Sequence, residues 1–162
     1  MKLLDPGERL RHEDFQELLQ KFLPSLPSSV LSLLEEIHEL RIYQPGDTLM
    51  EEGESADGVI VLSRGAAVAS LLVKSGDSIK LCEIIAPAVL GLSETMLAET
   101  SRTTIRCELP ITAVFLPAPS FIDALRRSPL ASLEFSKLIG QELNATYCRL
   151  AEMRRPISAA LR

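Results

Sequence analysis

The sequence predicts an α+β protein that is mainly β: an antiparallel β-roll or jelly roll, with helices before it and a long dimerisation helix after it. Three observations indicate this. Apolar residues recur at helical spacing over 1–40, glycines separate short β-rich segments over 41–117, and helical spacing returns over 118–155. The chain has 162 residues, which suits a single domain over 1–162 with one buried core.

Two amphipathic helices are predicted in the first part of the chain. The first has five apolar side chains at helical spacing: Phe15, Leu18, Leu19, Phe22 and Leu23. Pro24 and Pro27 break this pattern, because proline has no backbone N–H to donate. Ser28 or Ser29 is expected to cap the second helix, whose apolar stripe consists of Val30, Leu33, Leu34 and Ile37.

Glycines punctuate the middle of the chain, at positions 46, 53, 58, 65, 76 and 91. Residues 58–63 are predicted to form a buried strand and residues 66–73 the next one. The intervening Arg64 and Gly65 are therefore expected to form a hairpin turn.

The second half of the predicted roll continues in the same manner. A turn at 75–77 is expected to lead into a strand over 79–85. Strands over 103–108 and 111–115 are expected to pair around Leu109 and Pro110. Short strands of regular spacing with glycine turns are typical of an antiparallel barrel or roll.

The last part of the chain predicts two more helices. Ser120 is expected to cap a short helix ending at Arg127, and Ser128 and Pro129 are expected to start a long one, with proline in its first turn. One apolar stripe of the long helix is expected to face the roll: Ala131, Phe135 and Leu138. A second has the alternating spacing of a coiled-coil seam: Ile139, Leu143, Thr146, Leu150 and Met153. A helix that is apolar on two sides needs two partners, which favours a homodimer. The alternative is an ordinary core helix.

Composition excludes several classes of function. The net charge is −5, and the basic residues cluster only in pairs, so we expect no direct contact with nucleic acid. The apolar runs are too short to span a bilayer, and the N-terminus lacks the apolar stretch of a signal peptide. A cytoplasmic protein without membrane contact is therefore expected. The cysteines and histidines lack metal-site spacing, and no catalytic motif is present, so we predict neither a metal site nor an enzyme.

Residues 45–53, followed by Asp57, residues 59–62 and Gly65, resemble the first half of the cyclic-nucleotide-binding domain of the Crp/Fnr regulators. The spacing of Gly46, Gly53 and Gly65 is the most specific part, because tight corners of a β-roll require positive φ angles. The segment over 86–104 resembles the phosphate-binding cassette of that family. The resemblance extends over about residues 34–155.

The resemblance implies a binding site for a small anionic effector such as a cyclic nucleotide, with no other cofactor required. It places the site at Gly91, Leu92, Ser93, Arg102 and Thr103. Arginine binds a phosphodiester with forked, charge-assisted hydrogen bonds, and residues 93–97 are expected to form a short helix whose amides add to the site. The alternative for Arg102 is an exposed loop position or an ion pair with Glu94 or Glu99.

One residue departs from the pattern of nucleotide-binding members. In those members a glutamate usually follows the cassette glycine and binds the ribose 2′-hydroxyl, but here Leu92 follows Gly91. Leucine has no acceptor, so the ribose hydroxyl would have no hydrogen-bond partner. The binding free energy of a nucleotide would fall by about 1–3 kcal/mol, which is about 5- to 150-fold in affinity. The sequence Gly91-Leu92-Ser93 resembles branches of the family that respond to other signals or to none known. A scaffold or dimerisation domain without a ligand is therefore the alternative function.

The long helix carries one further implication of the resemblance. Thr146 stands where the family places a hydroxyl residue that contacts the purine base across the dimer seam. As the one polar seam residue, it is also suited to setting the register of a dimer. The family continues into a winged helix-turn-helix, whereas this sequence stops at Arg162. We expect either a stand-alone sensor, which signals to a partner through the helix, or the N-terminal fragment of a DNA-binding regulator.

Overall fold

A computed structural model describes residues 2–3, 10–73 and 76–153 of the chain. Seven strands are present in this part: β1 Lys2–Leu3, β2 Glu39–Tyr43, β3 Thr48–Met50, β4 Gly58–Leu72, β5 Ser78–Ile85, β6 Ala88–Leu90 and β7 Thr104–Pro117. Five helices accompany them: α1 His12–Gln20, α2 Ser28–Ile37, α3 Leu92–Leu97, α4 Ala118–Arg127 and α5 Pro129–Met153.

All described strands belong to one antiparallel sheet. Its order is β1-β2-β7-β4-β5, while β3 pairs with β7 and β6 pairs with β4. Two helices precede the roll and a 25-residue helix ends the described chain. The predicted fold class, mainly β with an antiparallel roll and a long C-terminal helix, is confirmed.

The two predicted hairpins inside the roll are wrong. β4 runs without interruption through Arg64 and Gly65, and β7 runs through Leu109 and Pro110. These two strands pair with each other along most of their length, with register shifts between Leu62 and Ala67. The glycine therefore makes a β-bulge instead of a turn. It has φ +99°, and a Cβ there would lie 2.3 Å from the carbonyl oxygen of Pro110, so both strands bend together where only glycine fits.

The serine caps predicted for α2 and α4 are also wrong. Pro27 and Pro117 are the N-cap residues of these helices, and neither helix has a side-chain cap hydrogen bond. The start of α5 matches the prediction, since Pro129 is its first residue. Ser128 caps it, with its Oγ accepting a hydrogen bond from the Ala131 N–H at 3.3 Å.

The predicted turn at 75–77 is partly described. Gly76 has φ +88° and donates its N–H to the Val73 carbonyl at 2.8 Å. The Val73 N–H donates in turn to the carbonyl of Asp77 at 2.9 Å. Ser75 lies outside the described residues. The turn links β4 to β5, which pair over the following residues.

Alternate residues of β4 belong to two separate apolar clusters. Val59 and Val61 pack in a helical cluster with α1, α2, α4 and α5. Ile60 and Leu62 pack in the interior of the roll, with residues of β3, β6 and β7. The strand thus joins the helices to the roll, as the two-residue period of side-chain direction requires.

The long helix α5 has two different halves. Ala131, Phe135 and Leu138 are buried in the helical cluster, which confirms that this stripe packs on the domain. From residue 140 every described side chain as far as 150 is exposed. No helix in the described part of the chain is long and apolar enough to cross a membrane.

Candidate functional site

The cassette begins with a left-handed glycine. Gly91 has φ +72° and is followed at once by α3, one residue earlier than the sequence predicts. A Cβ on Gly91 would lie 2.8 Å from the carbonyl oxygen of Gly58, so the cassette approaches β4 closely. The Gly91 carbonyl accepts the first helical hydrogen bond, from the Thr95 N–H at 2.9 Å. This local geometry places Leu92 and Ser93 in the first turn of α3.

Leu92 is a core residue. Its side chain is only 2% exposed and belongs to the helical cluster, with residues of α4 and α5. The position where the family pattern has an acidic residue is therefore part of the packed core. Ser93 beside it is half-buried, and its hydroxyl donates to the Glu94 carboxylate at 3.1 Å.

Ser101, which the sequence analysis did not single out, holds the end of the cassette. This buried residue donates its hydroxyl to the Thr103 carbonyl at 2.7 Å. Its N–H donates to the carbonyl of Glu54, and its own carbonyl accepts the N–H of Gly53, both at 2.8 Å. A small hydroxyl residue next to the candidate arginine was the signal available in the sequence. These bonds fix the backbone immediately before Arg102.

Arg102 lies on the surface. Its side chain is 84% exposed, and its Nη2 is 3.4 Å from a carboxylate oxygen of Glu99. This is the alternative that the sequence left open for the residue. Thr103 is half-buried, and its N–H bonds the Ser101 hydroxyl at 3.4 Å. The structure thus brings Gly91, Leu92 and Ser93 together in one turn, with Arg102 outside it.

Thr146 sits on the exposed half of α5, and its hydroxyl donates to the carbonyl of Glu142 at 2.9 Å. Burial by surrounding atoms raises the pKa of the Glu142 carboxyl, although the residue keeps an exposed surface, and the negative charge of Glu94 raises it further. Glu94 belongs to α3, so α5 passes the cassette helix about one turn before Thr146. The hydroxyl that the resemblance places against a base thus donates its proton within its own helix.

Part of the predicted seam is exposed to solvent in this single chain. Ile139 is partly buried against the helical cluster, whereas Leu143 and Leu150 are about half exposed. Tyr147 adds another exposed large side chain. The side chain of Met153 lies outside the described residues. In the described part of the chain, no group of three or more His, Cys, Asp or Glu residues is placed to hold a metal ion.

A family model described as cyclic nucleotide-binding domain matches residues 40–128. The matched segment runs from β2 to the end of α4 and includes the cassette. A search of curated proteins finds no significant match.

Several solved structures are similar in fold. The catabolite activator protein of Thermus thermophilus has a TM-score of 0.68 at 14% identity, over 82% of this chain and 62% of that chain. The cAMP-bound regulatory domain of Toxoplasma gondii PKA has a TM-score of 0.69 at 14% identity, over 83% and 50%. The N-terminal domain of a transcriptional regulator from Streptomyces coelicolor has a TM-score of 0.65 at 16% identity, over 80% and 94%. The chain spans less than two thirds of the first two proteins.

Proposed function

Because the chain belongs to the cyclic nucleotide-binding domain family, we propose that it is a regulatory module that binds a small anionic effector, such as a cyclic nucleotide, and signals through α5. The observation that carries the proposal is the cassette: a left-handed Gly91 leads into α3, and Arg102 follows beside a backbone fixed by Ser101. Catalysis and direct nucleic-acid binding are not part of the proposed function.

Arg102 is free to change its partner. Its ion pair with Glu99 joins two exposed side chains, and such surface pairs stabilise a protein very little. A phosphodiester offers two oxygens to the guanidinium fork and forms stronger, charge-assisted bonds. Exchange of Glu99 for an effector phosphate would turn Arg102 towards the cassette.

Leu92 limits which effector the module recognises. The residue has no acceptor for a ribose hydroxyl, and its side chain is enclosed in the helical cluster. A cyclic nucleotide therefore has the phosphate contact without the sugar contact. We expect affinity about 5- to 150-fold below that of a site with the glutamate.

Calorimetric titration with cAMP and cGMP tests this function directly. We expect saturable heat at tens to hundreds of micromolar ligand. The heat is expected to be lost in Arg102→Gln. It is expected to remain in the control Arg106→Gln, because Arg106 is an exposed residue on β7. Absence of heat and of thermal stabilisation with either nucleotide would exclude the cyclic-nucleotide version of the proposal.

We also propose that two copies of the chain pair through the exposed half of α5. Leu143 and Leu150 lie on one seam at coiled-coil spacing and are uncovered in the single chain. Light scattering is expected to report a dimer that Leu143→Lys converts to a monomer. Leu133→Lys is the control, since Leu133 is equally exposed on α5 but lies off the seam. A monomer of the unaltered chain at high concentration would contradict the pairing.

The second candidate function is a ligand-free scaffold that dimerises through α5. The observation that favours it is the burial of Leu92 where nucleotide-binding members have an acceptor. The two candidates differ in one measurement: a scaffold dimerises but shows no heat with any anionic effector.

A further inference from the structure

A cavity in the roll adjoins the cassette, because its lining includes Ser101 and Gly58. It has a volume of about 280 Å³ and is lined by both polar and apolar side chains, including Arg41, Tyr43, Met50, Ala56, Ile60 and Phe115. In liquid water about 30 Å³ belongs to each molecule, so the cavity is large enough for a ligand of roughly ten non-hydrogen atoms. Its residues come from β2, β3, β4 and β7, and from the loops that contain residues 51–57 and Ser101.

Arg41 is a charged residue directed into this interior. It pairs on β2 with Ala113, and its neighbour on the same face, Tyr43, pairs with Ile111. Both partners are fully buried in the roll cluster. The Arg41 side chain is 19% exposed, which is unusual for a cation in a β-roll core.

The hydrogen bonding of Arg41 is incomplete. Its Nη2 is 3.1 Å from a carboxylate oxygen of Glu39, and its guanidinium carbon lies 3.2 Å from the centre of the Phe115 ring. Stacking on the ring fixes the plane of the guanidinium. Within the described residues, the buried Nε has no hydrogen-bond partner. A buried charged donor without a partner is costly, so an acceptor placed in the cavity gains a strong bond.

Tyr43 supplies a second donor. The side chain is buried, and desolvation raises the pKa of its phenol, although a side-chain hydrogen bond with Arg41 and the charge of that residue lower it. The phenol therefore keeps its proton at neutral pH and can donate it. Arginine and a neutral phenol together suit a carboxylate, which accepts at two oxygens.

The mouth of the cavity has the opposite charge. Glu51, Glu54 and Asp57 line it, and all three are exposed. These carboxylates repel a ligand that has only negative charge, but they attract a cationic group. We propose that this cavity binds a small zwitterion, with a carboxylate at Arg41, an ammonium at the acidic mouth, and a short apolar body against Met50 and Ile60. The site adjoins the cassette at Ser101, but its proposed binding groups differ from those of the effector site.

Leucine and two analogues that each lack one charged group test the assignment: 4-methylpentanoate has no ammonium, and 3-methylbutylamine has no carboxylate. Calorimetric titration of the full chain is expected to show leucine binding about tenfold or more tightly than either half, since each lacks a charge-assisted contact. Equal binding of 4-methylpentanoate would overturn the zwitterion assignment. Failure of leucine to bind at millimolar concentration would overturn the site.

Variants locate the binding within the cavity. Arg41→Met is expected to abolish leucine binding, and Arg106→Met, on the outer face of β7, to leave it unchanged. Ala56→Leu fills the cavity while keeping Arg41, so it is also expected to abolish binding. This variant tests the site even if Arg41→Met does not fold. In a ¹⁵N spectrum of the unaltered chain, leucine is expected to shift the Arg41 Nε–H resonance saturably. A resonance that does not move, or binding that survives in Ala56→Leu, refutes the proposal whether or not cAMP binds at the cassette.

Discussion

Truncation of Leu92 to alanine measures whether this residue belongs to the core or to a ligand site. The side chain is 2% exposed within the helical cluster. Leucine-to-alanine changes in such surroundings remove transfer free energy and leave a cavity, for a total of about 2.7–5.0 kcal/mol. We expect Leu92→Ala to lower the free energy of unfolding by about 3–4 kcal/mol. With a urea slope near 2 kcal/mol per molar, the midpoint falls by roughly 1.5–2 M.

Leu97→Ala is the matched control, because Leu97 ends the same helix and is 65% exposed. Its unfolding free energy is expected to change by no more than about 0.5 kcal/mol. Urea unfolding followed by circular dichroism gives both values. A loss below about 1 kcal/mol for Leu92→Ala would refute the reasoning, since it would mean that the side chain faces solvent or an open ligand pocket.

Two further predictions concern the roll. Gly65→Ala is expected to lower the free energy of unfolding by about 3 kcal/mol or more, because a Cβ would lie 2.3 Å from the Pro110 carbonyl oxygen. The control is Gly46→Ala, since Gly46 has a similar φ but open space around it. This change is expected to lower the free energy of unfolding by only about 1–2 kcal/mol. Equal costs would show that the close approach is unimportant. Burial raises the pKa of Tyr43, so the folded state holds the phenol proton more tightly than the unfolded state; the resulting stability is complete below about pH 10 and is lost as pH rises through the raised pKa. Unfolding midpoints from pH 8 to 11 are expected to fall less steeply in Tyr43→Phe than in the unaltered chain, and parallel profiles would contradict this.

The helices and the β-rich middle of the chain could be predicted because they depend on local periodicity, whereas the short strands β2, β3 and β6 were not predicted. The errors in the roll have one physical cause. A glycine after a polar residue between two β-rich segments looks the same in a hairpin and in a β-bulge. The difference depends on the partner strand, and here β7 is long enough to pair with β4 on both sides of Gly65. The spacing of residues within β4 does not reveal the length of β7.

The candidate site was predictable in part for a similar reason. Gly91 and the helix after it follow from local conformation. The direction of the Arg102 side chain does not follow from local conformation, because it depends on the backbone at Ser101. The hydrogen bonds of Ser101 with Gly53 and Glu54 join segments that are distant in sequence. The polar interior at Arg41 was also missed, since an arginine in an otherwise alternating strand looks like a solvent-facing residue until its register on β7 is known.

The burial of Leu92 also bears on how the proposed module would signal. Leu92 is the first residue of the cassette helix, yet it packs in the same apolar cluster as Phe121 of α4 and Phe135 of α5. These two rings meet edge to face, with centroids 4.9 Å apart. Close-packed side chains transmit displacement because there is no empty volume to absorb it. An effector that moves α3 must therefore move Leu92 against the base of α5, whose exposed half holds the proposed dimer seam. Leucine in place of an acceptor therefore removes a contact to a ribose hydroxyl and places an apolar side chain between α3 and the base of α5.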